Sequence, residues 1–194
     1  MSVYQKIASS VDDFSCLREY PIENGLGIDI AENCFNNNAL IYEKILILKL
    51  DEHNDYCSTF THNPPAMIDF LIITQCCDES INLHLVEVRN TEGAKKPTVR
   101  LNPKAIMEKF NNAITLYLEN HGMKYLEVEK INNVKGYLVC DPWKLRDKDN
   151  RDEIFEKKLK TCALDFYSSL RPLKVFGKSF LIKPQLPNPI IECC

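Results

Sequence analysis

Two apolar segments joined by a short polar turn place the strongest constraint on the fold of this chain. Residues 67–74 read MIDFLIIT, residues 81–90 read INLHLVEVRN, and the six residues between them read QCCDES. Each segment is rich in Ile, Leu and Val and has the length of a strand, and the link between them is polar. The sequence therefore predicts an antiparallel hairpin made of two central strands.

Further elements are predicted on both sides of this hairpin. The apolar run 44–50 reads as a strand that precedes it, and residues 3–14 form a short amphipathic helix. After it, Asn102 is placed to cap a helix whose first residue is Pro103 and which Gly122 ends. An extended piece at 124–131, a turn at Asn132 and Asn133, a strand at 134–141, a helix at 151–170 and a hairpin around Gly177 complete the chain.

This order of elements predicts an α/β fold with a mixed central sheet flanked by helices. The core order is α-β-β-β-α-β, followed by a C-terminal helix and short strands. A chain of 194 residues is long enough for one such domain. We expect a single domain over 1–194, with its core at about 40–141 and an extension at 142–194.

Composition narrows the class of protein. With 45% hydrophobic and 26% charged residues, the chain is ordinary for a globular domain. It shows neither a signal-peptide h-region nor the ~18 consecutive apolar residues that a membrane span needs. We therefore expect a cytoplasmic protein without a membrane partner. The nine cysteines are odd in number, scattered and without a CxxC pair, which favours reduced thiols over a disulfide framework or a metal site.

Two carboxylates lie within the apolar segments that are predicted to be buried, where an unpaired charge is unfavourable. Asp69 lies near the start of the first apolar strand, and Glu87 lies near the end of the second. Because antiparallel neighbours bring opposed side chains to about 5 Å, the two acids must share a proton or a cation. Two carboxylates, a backbone carbonyl and water suit a hard divalent ion such as Mg²⁺, for which Mn²⁺ can substitute. Arg89, two residues after Glu87, projects from the same face of its strand.

This pattern resembles the PD-(D/E)xK nuclease superfamily, which has a restriction-endonuclease-like fold. The resemblance covers roughly residues 40–141: an acid at the start of the second core strand, the segment LHLVEVRN with its Glu87 eighteen residues after that acid, then a helix and the strand KGYLVCD. It implies that Asp69 and Glu87 are the two motif acids and that Arg89 stands where the family has lysine. The resemblance also allows a lysine from elsewhere, such as Lys95, Lys96 or Lys104, and a further acid such as Glu32 or Glu43.

The resemblance implies a Mg²⁺-dependent DNA endonuclease of restriction or antiviral defence type. Asp69, Glu87 and the carbonyl of Val88 would hold the metal, Arg89 would stabilise the scissile phosphate, and the products would carry 5′-phosphate and 3′-hydroxyl ends. Cleavage of both strands implies a homodimer or a larger assembly of which this chain is the nuclease subunit. The basic residues Lys95, Lys96, Arg100 and Lys104 would contact the DNA backbone.

Two other hypotheses remain open at this point. Arginine keeps its proton and cannot act as a base, so the chain is also compatible with a catalytically inactive nuclease-like protein that binds nucleic acid or acts as a scaffold. In the second alternative the two strands form an ordinary hairpin of an interaction protein. That hypothesis predicts that Asp69 and Glu87 lie far apart, or that Arg89 closes off Glu87 in an ion pair.

Overall fold

The structure is a computed structural model that describes residues 3–9, 16–23, 25–52, 63–91, 101–120, 124–162 and 170–193. Its helices are α1 (Val3–Ala8), α2 (Pro103–Asn112) and α3 (Arg151–Cys162), and a π-helix (Ala113–Leu118) continues α2. Short 3-10 helices lie at Glu32–Cys34, Leu50–Glu52 and Val128–Lys130. The strands are β1 (Ile22–Glu23), β2 (Leu26–Gly27), β3 (Asp29–Ile30), β4 (Phe35–Asn36), β5 (Ala39–Leu40), β6 (Ile45–Lys49), β7 (Phe70–Gln75), β8 (Ile81–Arg89), β9 (Ile131–Cys140), β10 (Leu173–Val175), β11 (Lys178–Phe180), β12 (Ile182–Gln185) and β13 (Ile190–Ile191).

A five-stranded mixed sheet forms the centre of the fold, with strand order β12-β9-β8-β7-β6. The predicted hairpin is confirmed, since β7 pairs with β8 antiparallel, and the predicted first strand is confirmed as β6, antiparallel to β7. From β8 the chain crosses through α2 to β9, which runs parallel to β8. This crossover places α2 over one face of the sheet and β9 beside the strand that carries Glu87.

Side chains alternate between the two faces of this sheet. On the face covered by α2, called the helical face here, Leu83 and Leu85 of β8 share a core with Ile106 and Phe110. On the opposite face, Val86 and Val88 belong to a second core, which the N-terminal strands cover with residues such as Leu26 and Ile28. Because both faces are covered there, β8 is buried along nearly its whole length.

Helix α2 begins where the sequence predicts it. The Asn102 side chain accepts hydrogen bonds from the backbone N–H groups of Lys104 and Ala105, at 3.0 and 3.4 Å, and Pro103 occupies the first turn. After Asn112 the helix widens into the π-helix. This continuous helical segment packs Ile106 and Phe110 onto the sheet. Lys109 lies between these two residues in sequence, so their packing sets where it lies relative to the sheet.

The predicted turn at Asn132 and Asn133 is wrong. Both residues belong to β9, and the extended piece expected before them is largely turn and 3-10 helix. Ile81 pairs with Ile131 while Asn82 pairs with Asn133, so one extra residue forms a bulge in β9. The reason is burial: Ile131 and Val134 both join the core on the helical face, and the bulge accommodates the residues between them.

The C-terminal residues complete the sheet. The predicted hairpin is confirmed as β10 and β11, which turn through Phe176 and Gly177 at φ values of 50° and 74°. The predicted helix at 151–170 is confirmed over α3, and residues 163–169 lie outside the described part of the chain. Beyond the prediction, β12 adds a parallel edge strand beside β9, and β13 pairs with β3.

The prediction of reduced thiols is wrong for Cys34 and Cys193, which form a disulfide across 159 residues of sequence. The pairing of β13 with β3 brings the two cysteines together, with their Cα atoms 5.8 Å apart. Cys76 is disulfide-bonded as well, whereas the thiols of Cys77 and Cys140 are free. Among the described helices, none is both long and apolar enough to cross a bilayer.

Candidate active site

Asp69 and Glu87 meet at one end of the central sheet. Asp69 lies one residue before β7, and the pairing of Phe70 with Val86 places it opposite Glu87 on β8. The carboxylate of Asp69 is held there because its Oδ2 accepts a hydrogen bond of 2.6 Å from the backbone N–H of Val88. Asp69 is 6% exposed and Glu87 is fully buried. The two acids that the sequence singles out therefore come together inside the protein.

Lys109 of α2 supplies a cation between the two acids. Its Nζ lies 2.9 Å from Oε1 and 3.0 Å from Oε2 of Glu87, and 3.9 Å from Oδ1 of Asp69. Sequence reasoning missed this residue and pointed to Lys95, Lys96 or Lys104 as the source of a lysine. Lys109 is three residues after buried Ile106, on the side of α2 that faces the sheet, and that spacing was the available signal.

Arg89 lies on the same face as Glu87, as the strand alternation predicts. Its Nε is 2.7 Å from Oε1 of Glu87, and its side chain is 29% exposed. Neither Arg89 Nε nor Glu87 Oε1 makes a well-directed hydrogen bond within the described residues, so the contact is an ion pair. This ion pair is the feature that the ordinary-hairpin hypothesis predicts, whereas the convergence of the two acids on Lys109 is not.

Burial and charge together set the protonation of the two acids. Burial, reinforced by the nearby Asp69 carboxylate, raises the pKa of Glu87 to about 7, against the opposing effect of Lys109 and Arg89. Burial also raises the pKa of Asp69, although Lys109 and the Val88 N–H favour its charged form. The cluster therefore holds two acids and two cations in which Glu87 titrates close to neutral pH.

A cavity of about 540 Å³ opens onto this cluster. Besides the cluster residues it is lined by Asn90 and by Glu23, whose Oε2 lies 2.7 Å from the Nζ of Lys49. Glu32 and Glu43, the acids suggested by the resemblance, are exposed and do not line this cavity. Over the described ranges, no set of three or more His, Cys, Asp or Glu residues is arranged to hold a metal.

Of the residues predicted to contact DNA, only some lie within the described part of the chain. Lys95, Lys96 and Arg100 fall within 92–100, outside the described residues. Lys104 is exposed in the first turn of α2, where its backbone N–H is bound by Asn102. The predicted basic contact surface therefore stays a prediction.

The donor atoms at the sheet end have the chemistry that a hard cation prefers. Oδ1 of Asp69 and Oε1 of Glu87 face the same ammonium group, and Oε1 is buried without a hydrogen bond from any described residue. In a strand, the carbonyl and the N–H of one residue point to the same side, so the Val88 carbonyl points towards Asp69. Two carboxylates, one carbonyl and water fit Mg²⁺, which needs few protein ligands.

Comparison with known proteins gives no match for this chain, whether with family models, curated proteins or solved structures. The inferences about function below therefore depend on the geometry of the sheet end and on the chemistry of its side chains.

Proposed function

We propose that this protein is a metal-dependent DNA endonuclease of restriction or defence type, built on a restriction-endonuclease-like core. The observation that carries the proposal is the convergence of Asp69, Glu87 and the Val88 backbone at one sheet end, with Lys109 Nζ within 3.9 Å of both acids. A buried acid pair at the mouth of a cavity, with cations beside it, suits the hydrolysis of an anionic phosphodiester.

The arrangement of strands supports the proposal. An antiparallel meander of β6, β7 and β8 is followed by α2 and by the parallel strand β9. The first motif acid precedes the second strand of this series and the second lies on the third, which is the order that the resemblance implies. The resemblance expects a lysine on the strand, where this chain has Arg89. Lys109 instead brings a lysine to the Glu87 carboxylate from α2.

Each residue of the cluster has a distinct proposed role. Asp69, Glu87 and the Val88 carbonyl would hold Mg²⁺, which when bound supplies Lewis-acid stabilisation and a more acidic water. Lys109 holds the carboxylate of Glu87 in position and donates hydrogen bonds in the cavity where charge develops on the phosphoryl group. Arg89 provides a fixed positive charge beside the scissile phosphate but does not transfer a proton.

A plasmid-cleavage assay with Mg²⁺ or Mn²⁺ tests this function. We expect wild-type protein to nick or linearise plasmid DNA, and we expect Asp69→Asn and Glu87→Gln to reduce the rate by on the order of a hundredfold or more. Glu32→Gln is the matched control, because Glu32 is an exposed acid outside the cavity. Equal cleavage by wild type and Glu87→Gln would rule out the proposed site.

The second candidate is a nuclease-like protein that binds nucleic acid without cutting it. The observation that favours it is that Lys109 and Arg89 already neutralise the two acids in place. A metal that binds only the folded state raises its melting temperature increasingly as the metal concentration exceeds the dissociation constant, so thermal unfolding with increasing Mn²⁺ separates the two candidates. The nuclease requires a rise that Glu87→Gln abolishes, whereas the inactive protein requires no rise together with retained DNA binding.

A further inference from the structure

A second cavity lies on the other side of the sheet, away from the acid cluster. It measures about 1000 Å³ and runs along β9 and β12. Val139 of β9 packs in the core on the opposite face, and strand alternation puts Lys135 and Tyr137 on that same face. Lys183 pairs with Tyr137 and Gln185 pairs with Val139, so they also face this cavity, which we call the β9–β12 groove.

The lysines of the β9–β12 groove differ from those of the acid cluster. Lys135 and Lys183 are exposed, and neither forms an ion pair with a carboxylate of the described residues. Asp152 is the one acid among the described lining residues, and it already faces Arg151, with Nε and Oδ2 3.8 Å apart. The groove therefore carries a net positive charge that no side chain in the described part of the chain compensates.

Tyr137 supplies an aromatic ring beside both lysines, since it pairs with Lys183 and follows Lys135 by two residues on β9. Tyr137 is half-buried, and its ring stacks on the imidazole of His84 with 5.9 Å between centroids and 22° between planes. His84 is 4% exposed, its Nε2 lies 3.3 Å from Thr74 Oγ1, and its Nδ1 has no hydrogen-bond partner in the described chain. Because burial, with Lys135 nearby, lowers the pKa of His84 to about 4, the imidazole is neutral and serves as an uncharged support for the ring.

Exposed apolar side chains line the same groove. Leu181 and Ile190 are 53% and 65% exposed and add apolar surface to the groove. Leu186, Pro187, Asn188 and Pro189 form a wall of the groove beside Ile190, and the Asn188 N–H donates to the Gly27 carbonyl at 2.9 Å. The groove thus combines exposed lysines, an aromatic ring and apolar surface.

We propose that the β9–β12 groove binds a nucleotide unit, with its phosphate held by Lys135 and Lys183 and its base placed against Tyr137. Positively charged grooves with stacking aromatics bind single-stranded nucleic acid in this way, and each stacked base contributes measurably to affinity. The unit belongs either to a nucleic-acid strand or to a free nucleotide. This binding site is independent of the acid cluster and does not require the protein to be a nuclease.

Fluorescence anisotropy in EDTA tests the proposal without any cleavage. The probes are a fluorescein-labelled oligodeoxythymidine of about 12 nucleotides, which spans a site of this kind, and a fluorescent ATP analogue. We expect Lys135→Gln/Lys183→Gln to reduce the magnitude of the slope of log affinity against log salt for the oligonucleotide by roughly 0.7, because the two lysines together hold one phosphate. Tyr137→Leu should weaken binding roughly tenfold, while Tyr137→Phe keeps the ring and should bind as wild type does.

Matched controls make the result specific to the groove. Lys160→Gln/Lys174→Gln removes two exposed lysines that do not line it and should leave the salt slope nearly unchanged. Tighter binding of the oligonucleotide than of the ATP analogue assigns the site to a strand, and the reverse assigns it to a free nucleotide. The proposal is overturned if neither probe responds to the groove variants, or if polyglutamate displaces the probes as effectively as unlabelled oligonucleotide does. EDTA removes the divalent metal that cleavage needs, so a failure of the nuclease proposal does not affect this test.

Discussion

The acid cluster at the sheet end contains two cations, and the β9–β12 groove contains two lysines besides Arg151, but the two regions use their cations differently. At the sheet end, Lys109 and Arg89 lie within 3 Å of the fully buried Glu87 carboxylate. In the groove, Lys135 and Lys183 are exposed and unpaired within the described residues. A cation that neutralises a buried acid contributes to folding, whereas an exposed cation without a partner leaves its charge available to a ligand.

This difference predicts that substituting a cation of the acid cluster mainly changes stability, whereas substituting a lysine of the groove mainly changes ligand binding. Removing a cation at the sheet end leaves a buried charge uncompensated, and the cost appears in the free energy of unfolding. Removing a cation in the groove costs the fold little and appears in the affinity for an anion. The two regions therefore provide controls for each other.

The largest expected effect is that of Lys109→Met. We expect it to lower the free energy of unfolding by about 3 to 5 kcal/mol at pH 8, because Glu87 is then buried beside Asp69 with only Arg89 to compensate. At pH 5 the cost should be smaller, since Glu87 is then protonated. Urea unfolding measures both values. Lys104→Met, on the exposed side of the same helix, should change stability by less than about 0.5 kcal/mol, and an equal effect of the two variants would contradict the structural role of Lys109.

The pH dependence of stability should come next in size. Folding raises the pKa of Glu87 from 4.5 to about 7, so the folded state binds a proton more tightly than the unfolded state between these values. Stability should therefore fall as the pH rises from about 5 to 7, by on the order of 3 kcal/mol from this group. Glu87→Gln should lose less stability over the same range in urea titrations. A wild type whose stability rises with pH in this window would show that Glu87 is ionised throughout.

Removal of the Cys34–Cys193 disulfide should separate the two regions. The linked C-terminal segment carries the wall of the groove but no residue of the acid cluster. We expect Cys34→Ser/Cys193→Ser to lower stability by about 2 to 4 kcal/mol and to weaken oligonucleotide binding, while the Mn²⁺-dependent rise in melting temperature persists. Cys77→Ser, at an exposed free cysteine, is the control. A loss of metal response in the double variant would mean that the regions are coupled.

The sequence identified the strands that carry the acids because their apolar runs and the polar turn between them are local signals. Asp69, Glu87 and Arg89 could be placed near one another from strand alternation and the hairpin alone. Lys109 could not, because its contact with Glu87 depends on how α2 crosses the sheet. The disulfide and the groove depend on the short strands β12 and β13, which pair with residues distant in sequence. No local sequence pattern predicts such pairing.

Substitution of the two groove lysines should have the smallest effect on stability, and it tests most directly the difference between the groove and the acid cluster. Lys135→Gln/Lys183→Gln should change the free energy of unfolding by less than about 0.5 kcal/mol for each substitution, because both side chains are exposed and neither compensates a carboxylate of the described chain. Urea unfolding and anisotropy on the same preparations give the stability and the affinity together. A loss of stability comparable to that of Lys109→Met would mean that these lysines support the fold. An unchanged stability with a reduced salt slope is the result that distinguishes a ligand-binding charge from a structural one.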